Sequence, residues 1–459
     1  QHLRQRRLTL VWGPPGTGKT HFLARAVLCM AEAYGRFDRV FRIGLTAFTH
    51  AAIENLLLKI HDLMPSFRHA PVMYKLGDCR TARAQHLANI DPGDAGDHNG
   101  QSVILGGTVH GLWKARDKGD LEPVDLLIVD EASQMKFGDF SLVMESLRPS
   151  TGRLVLAGDD LQLPPIIRGE YPAPPDGLPG LHDSVFAYLR ARDIKKKPRF
   201  TRQLTENWRM NRTLSAFPAR TLYSKAYRPA KRDIASRRLD LSPPGQRRQA
   251  HGALLDWLLD PDYPLVLAVL EGIQATTANS PEADLVADLS VSLRSRLKQD
   301  NGHRYPDNEA GDIRFWREAL FIVSPHHDQI NAIQQALWKR RSWHTTPFVD
   351  TVDKMQGQES RAVIVSYGVS DTETALQEAE FIYSLNRLNV AITRAQAKCV
   401  VFLPRPLLES SFELLSNDRA VKGLTFMRQL LDFCGGGERR EFSLARGSLM
   451  GRRIRVNRT

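Results

Sequence analysis

Apolar and polar positions fall along this chain in alternating blocks. Residues 8–12 form a short apolar run, a glycine-rich stretch follows, and residues 21–34 carry apolar positions at helical spacing until Gly35 stops them. A short apolar run bounded by turn residues reads as a strand, and a three-to-four-residue spacing reads as a helix. The opening therefore predicts strand, loop, helix. The same alternation predicts strands over 40–47, 102–105, 124–129 and 153–158, with a helix over 51–63. Residues 124–129 are nearly continuous in apolar character, as in a parallel strand covered on both faces. Residues 64–100 read as irregular, ending in the loop-forming run Asp91-Pro92-Gly93-Asp94.

A second series begins after a polar, basic interval. It predicts strands over 265–270, 320–323, 348–352, 362–367 and 399–403, and helices over 281–297, 326–338 and 383–394. Strands alternating with helices, and polar residues at the strand ends, describe a doubly wound α/β fold whose ligands sit at the carboxyl edge of a parallel sheet. After Pro404 the pattern weakens. Gly435-Gly436-Gly437 opens what reads as a poorly ordered basic tail over 435–459.

Length and composition bound this picture. A chain of 459 residues is long enough for about two to four domains. With 42% hydrophobic and 25% charged residues it has an ordinary globular composition. No apolar run approaches the ~18 residues of a membrane span, and the basic first seven residues lead into a strand rather than a signal peptide. Four cysteines without a C-x-x-C pair argue against a disulfide framework or a zinc site. They fit a reducing compartment, cytoplasmic or, in a eukaryote, nuclear. The chain does not begin with Met, which points to a fragment with flanking domains. The net charge of +12 is uneven: residues 191–250 hold 17 basic and 4 acidic side chains, so the remainder is close to balance. Such a segment is either a solvated surface insertion or a surface that follows a nucleic-acid backbone.

The candidate chemistry starts in the first loop. Gly13-Pro14-Pro15-Gly16-Thr17-Gly18-Lys19-Thr20 lies between a predicted strand and a predicted helix, the context that a phosphate-binding loop requires. Its glycines let backbone N–H groups turn towards phosphate, Lys19 reaches the outer phosphates, and the Thr20 hydroxyl ligates Mg²⁺. Asp130 and Glu131 directly follow the buried strand. Asp130 suits the magnesium site opposite Thr20, and Glu131 suits a base for the attacking water. The plainer alternative is a pair of carboxylates capping a strand. Gln162, in the loop after 153–158, is placed to sense the γ-phosphate, although a loop Gln is usually just solvated. Phosphoryl transfer also needs positive charge on the γ-phosphate. Arg209 and Arg394 are candidates that composition alone would not select among 63 basic residues.

The motifs GPPGTGKT, LTAFTHAAIENLL, DEAS, GDDLQLPP, ENWRM, DTVDKMQGQE and NRLNVAITRA together resemble those of superfamily 1 helicases in order and spacing. The likeness is to the 5′-to-3′ branch containing the nonsense-mediated-decay RNA helicase, senataxin and the Dna2-type DNA helicases, and it covers residues 8–403. It implies two tandem RecA-like domains of parallel sheet flanked by helices, over 1–200 and 201–434, with insertions near 64–100 and 225–260. It further implies an ATP site in the cleft between them. Lys19, Thr20, Asp130, Glu131 and Gln162 would come from the first domain, and Arg209, Arg394, Gly357 and Glu359 from the second. Trp208 would stack on adenine. Thr49, His50, Thr108, Ser324, Pro325 and Thr351 would touch the backbone of single-stranded DNA or RNA. Singly, each hydroxyl could equally be a helix cap or turn residue.

The family's usual Gln-Tyr before the first arginine is Asn207-Trp208 here. The adenine-reading motif and the accessory β-barrel that precede the phosphate loop in the family do not appear in the sequence. The resulting expectation is a monomeric, ATP- and Mg²⁺-dependent helicase or translocase moving 5′ to 3′. A nucleotide-gated clamp or scaffold within a larger protein is the principal alternative, and a P-loop ATPase acting on a protein partner is a third. No acidic metal cluster outside the nucleotide site supports a nuclease.

Overall fold

The computed structural model describes residues 7–455 apart from 91–100, 168, 170, 172–173, 175–177, 195–198, 244–250, 356 and 410. The chain divides into two compact units, Gln1–Thr205 and Glu206–Thr459. Each is a parallel-sheet α/β fold of the RecA-like kind.

The first unit is built on β1 (Leu8–Trp12), β2 (Arg42–Ala47), β3 (Val72–Leu76), β4 (Asn89–Ile90), β5 (Val103–Gly106), β6 (Leu126–Asp130), β7 (Arg153–Gly158) and β8 (Thr201–Gln203). They form an eight-stranded sheet in the order β4-β3-β5-β2-β6-β7-β1-β8, with every pairing parallel. Successive residues of a strand face opposite sides, and both sides are covered. Leu127, Val129, Leu154 and Leu156 enter one core, whereas Leu126, Ile128, Val155 and Ala157 enter the other. Double burial explains why these strands read as unbroken apolar runs. Three helices matter for the site: α1 (Lys19–Gly35), α2 (His50–Leu63) and α3 (Val109–Asp117).

The stretch read as irregular, 64–100, contains β3 and β4, which extend the sheet. Its signal is hidden because the first three residues of β3 are only partly buried and its fourth is Lys75. That lysine is 1% exposed, 3.7 Å from the fully buried Glu54 of α2, and donates to the Gly77 carbonyl. Glu54 also accepts the N–H groups of Arg80 and Thr81 at 2.7 and 2.8 Å. The pair ties the edge strands to α2.

The second unit begins with the short strands β9 (Glu206–Asn207) and β10 (Arg228–Pro229), which pair with each other. Its main sheet comprises β11 (Leu265–Glu271), β12 (Leu320–Val323), β13 (Val349–Asp350), β14 (Ser360–Ser366), β15 (Ala395–Pro404), β16 (Glu438–Ser443) and β17 (Ser448–Ile454). Their order is β13-β12-β14-β15-β11-β17-β16. The first five are parallel, and β17 joins β11 antiparallel over seven register pairs. The expectation of a poorly ordered tail over 435–459 is thus corrected for its described part: residues 438–454 form a hairpin that widens the sheet. A helix, Asp418–Gly435, leads into it. Among the described residues no helix is long and apolar enough to cross a membrane.

Candidate active site

In the first sheet β7 lies between β1 and β6. The loops leaving the carboxyl ends of these three neighbours must therefore meet. The loop after β1 is shaped by Gly16 and Gly18, at φ 71° and 70°, a left-handed backbone that suits glycine. The Thr17 hydroxyl donates to the Pro14 carbonyl at 2.7 Å and closes the turn. The Gly13 N–H donates to the Gly158 carbonyl at 3.0 Å, anchoring the loop to the end of β7. Gly158 has to be bare, because a Cβ there would lie 2.8 Å from the Ser133 nitrogen in the loop after β6. Close approach of these strand ends is what brings Lys19, the first residue of α1, to the acidic pair.

Lys19 Nζ donates to Glu131 Oε1 at 2.9 Å and lies 3.9 Å from Asp130 Oδ1. Burial opposes the lysine's charge, but Glu131 and Asp130 outweigh it and hold its pKa above the ordinary value. Burial pushes Asp130 up to about 6, with Lys19 pulling the other way. The Thr20 hydroxyl bonds to the Asp130 carboxylate. Glu131 sits at φ 50°, ψ 37°, a left-handed conformation that is unfavourable for a side chain with a Cβ and concentrates at functional sites. Its N–H is satisfied by Asp130 Oδ1 at 2.8 Å.

Gln162 lies in the same region, tethered by its own loop: its amide donates to Asp159 Oδ2 at 2.8 Å. Asp159 is fully buried, also accepts the Trp12 indole N–H at 3.0 Å, and contributes to raising the Lys19 pKa. Sequence reasoning gave Asp159 no role. The available signal was its place as the first carboxylate after a buried strand beside β1. The donor set fits a magnesium nucleotide: paired hydroxyl and carboxylate oxygens suit a hard cation, and the glycine-shaped loop at the start of α1 suits phosphate.

In the second unit Arg209 and Glu359 pair at 2.6 Å, and the Arg209 guanidinium also donates to the Thr393 carbonyl at 3.1 Å. Burial works against the Glu359 charge, but Arg209 and Gln396 hold its pKa below the ordinary value. Arg394 adjoins this group. It is 2% exposed, and its guanidinium donates to the Gln358 carbonyl at 3.2 Å. Gly357, at φ 77°, makes the turn just before Gln358 and Glu359. The Asn207 side chain accepts the N–H groups of Arg209 and Met210 at 2.9 and 3.1 Å, so the residue that departs from the family's Gln shapes the arginine's loop. Trp208 is 44% exposed, with Lys231 Nζ 5.2 Å from its ring centre.

The expected strand contacts fall at adjacent strand ends within each unit. Thr49 and His50 follow β2, and Thr108 follows its neighbour β5. Ser324 and Pro325 follow β12, and Thr351 follows its neighbour β13. Both threonines of the first unit are N-caps, accepting the N–H groups of Ala52 and Gly111 at 3.2 and 3.1 Å. Capping uses an oxygen lone pair, so each hydroxyl hydrogen remains available for a phosphate. Burial, with Arg80 and Lys75, pushes the His50 imidazole below its ordinary pKa, making it a neutral donor. The Ser324 hydroxyl is buried and has no partner among the described residues. The Thr351 N–H donates to Asp350 Oδ1 at 2.7 Å.

Comparison with known proteins places this geometry. A family described as an AAA domain matches residues 1–173, and a second family of that description matches residues 181–403. The DNA replication ATP-dependent helicase/nuclease DNA2 of Mus musculus is 25% identical over 422 residues, covering 86% of this chain. The Saccharomyces cerevisiae protein of the same name is 21% identical over 90% of this chain. An uncharacterized ATP-dependent helicase of Methanocaldococcus jannaschii is 24% identical over 62%. Together these likenesses support a superfamily 1 helicase of the type that includes Dna2, senataxin and the nonsense-mediated-decay helicase. All three of these relatives are named as ATP-dependent helicases. The chain spans 35% of the mouse relative, 26% of the yeast one and 36% of the archaeal one. Among solved structures, an Arterivirus nonstructural protein 10 helicase with DNA is 14% identical, with a TM-score of 0.38 over 91% of this chain and 63% of that one.

Proposed function

We propose that this superfamily 1 helicase chain hydrolyses ATP with Mg²⁺ and uses the cycle to move 5′ to 3′ along a single strand of DNA or RNA. The observation that carries the reading is the convergence of Lys19, Thr20, Asp130 and Glu131 beyond the carboxyl ends of β1 and β6, on either side of β7. Thr20 and Asp130 would hold Mg²⁺, which when bound supplies charge neutralisation at the phosphate oxygens. Gly13 to Thr20 cradle the phosphates, and Lys19 exchanges Glu131 for phosphate oxygen. Glu131 is thereby released to take a proton from the attacking water as its oxygen bonds to the γ-phosphorus and the β–γ bridge breaks. Gln162 orients that water. Arg209 and Arg394 supply transition-state charge, Trp208 stacks on the base, and Gly357 and Glu359 set the position of Arg209.

Movement requires a grip that ignores base identity. Short donors at Thr49, His50, Thr108, Ser324 and Thr351, with Pro325 shaping its turn, suit phosphates and carry no sequence readout. The relatives' names, which pair an ATP-dependent helicase with DNA replication, support a DNA track. The test is unwinding of duplexes carrying either a 5′ or a 3′ single-stranded tail, on the protein with its flanking regions. Unwinding or streptavidin displacement from the 5′-tailed substrate alone supports the proposal. Preference for the 3′ tail reverses the direction. ATP-dependent strand binding without displacement favours a nucleotide-gated clamp.

A further inference from the structure

We infer that a basic groove in the second unit is a polynucleotide-backbone site separate from the contacts at Ser324, Pro325 and Thr351, an inference that rests on the proposed nucleic-acid track. The groove encloses about 1090 Å³ and is lined from β10, from the turn of helix that follows it, and from the segment preceding β11. Seven of its lining side chains are basic and a single one, Asp262, is acidic. Asp262 is already shared between Arg238 and Arg455. Arg228, Lys231 and Arg232 are exposed and form no ion pair with a carboxylate among the described residues. Like charges gathered without counter-charge repel one another, and a protein that keeps them in a concave wall focuses a positive field there. The ligand that relieves this repulsion is a chain of phosphates, which releases counterions as it binds.

Placement separates this groove from the proposed strand path. Asp262 and Pro264 precede β11, so the groove lies at the amino edge of the parallel strands. Ser324, Pro325 and Thr351 follow β12 and β13, at the opposite, carboxyl edge of the same sheet. One unit thus presents two surfaces to polyanions, short neutral donors on one edge and uncompensated guanidinium groups on the other. The neutral edge suits a grip that must let go at each step. The charged edge suits a salt-sensitive hold on another stretch of the same nucleic acid, such as the arm ahead of a fork.

The experiment compares wild type with Arg228→Gln/Arg232→Gln, and with Arg228→Lys/Arg232→Lys as the charge-retaining control. Both positions are exposed, and Lys231, whose Nζ lies 5.2 Å from the ring centre of Trp208 at the proposed base site, is left unchanged. Binding of a forked duplex and of its isolated single strand is followed by anisotropy across a salt series, with single-strand-stimulated ATPase measured alongside. The Gln pair is expected to weaken fork binding severalfold and to flatten the dependence of log affinity on log salt by about 0.9 per charge removed. Single-strand-stimulated turnover should stay unchanged, and the Lys pair should restore fork binding. An unchanged salt slope in the Gln pair, with wild type binding normally, overturns this site alone. Displacement of the fork by poly-glutamate as readily as by polynucleotide overturns the nucleic-acid assignment of the groove. Wild type that binds no polynucleotide overturns the parent reading and this one together.

Discussion

Two buried carboxylates, one in each unit, show what separates chemistry from structure in this fold. Asp130 ends β6 in the first unit, and Glu282 lies in the first turn of the helix Ser280–Arg296 in the second. Burial raises both, Asp130 to about 6 and Glu282 to about 7. Their partners differ. Asp130 faces a lysine, a threonine hydroxyl and a second carboxylate. Glu282 accepts the Ser366 hydroxyl at 2.7 Å and the Gly368 N–H at 3.1 Å, and no cation pairs with it among the described residues. Burial alone therefore does not mark a reactive site. A buried acid becomes useful for phosphoryl transfer when a phosphate-binding lysine and a second oxygen donor share its pocket.

The strongest way to sharpen this contrast lies next to Asp130. Glu131→Gln should lower ATP turnover by roughly 10⁴-fold, the upper end of general-base effects, while ATP and strand binding persist. Equilibrium nucleotide binding beside steady-state hydrolysis separates the two effects. Asp130→Asn should reduce turnover by roughly 10³-fold, the several kcal/mol that a bound metal supplies, with a raised requirement for Mg²⁺ in titrations. Glu282→Gln, the matching change in the second unit, should leave turnover within about twofold. Loss of activity in that variant comparable to Asp130→Asn would break the comparison.

Stability reads the same pair from the other side. The folded state holds a proton on Glu282 up to about pH 7, against an ordinary value of 4.5. Between those values the folded chain binds more protons than the unfolded one. Stability from this group is therefore present at low pH and lost as pH rises towards 7. Glu282→Gln should match wild type at pH 5 and exceed it at pH 8 by a few kcal/mol, measured by denaturant unfolding at both values. The smallest effect is on the magnesium requirement. Burial raises Asp130 to about 6, and a proton there competes with Mg²⁺, so the Mg²⁺ concentration for half-maximal turnover should rise as pH falls towards that value.

The candidate nucleotide site was legible because its backbone leaves a local signature. Gly16 and Gly18 are needed for positive φ, and Asp130-Glu131 ends a strand covered on both faces. The alternating strands and helices gave the α/β class for the same reason. The hairpin over 438–454 was not legible. Its β16 strand carries Glu438, Arg439, Arg440 and Glu441 on an edge that is mostly exposed, so it lacks the apolar run that identified the central strands. The Glu54–Lys75 pair escaped because two charges buried against each other look, in sequence, like two solvated ones. The arginines were selectable through the motif resemblance, since nothing in the sequence says that Arg394 is folded inward against Gln358. Whether a hydroxyl such as Thr49 caps a helix or touches a strand was also undecidable from sequence, and its geometry permits both.

The most direct measurement is steady-state ATP hydrolysis by wild type and Glu131→Gln, without polynucleotide, with single-stranded DNA, and with single-stranded RNA, at one fixed moderate salt concentration. The account predicts hydrolysis by wild type that rises strongly with one strand type, and almost none by Glu131→Gln under any condition. Turnover retained by Glu131→Gln, or wild-type turnover indifferent to both strands, would contradict it.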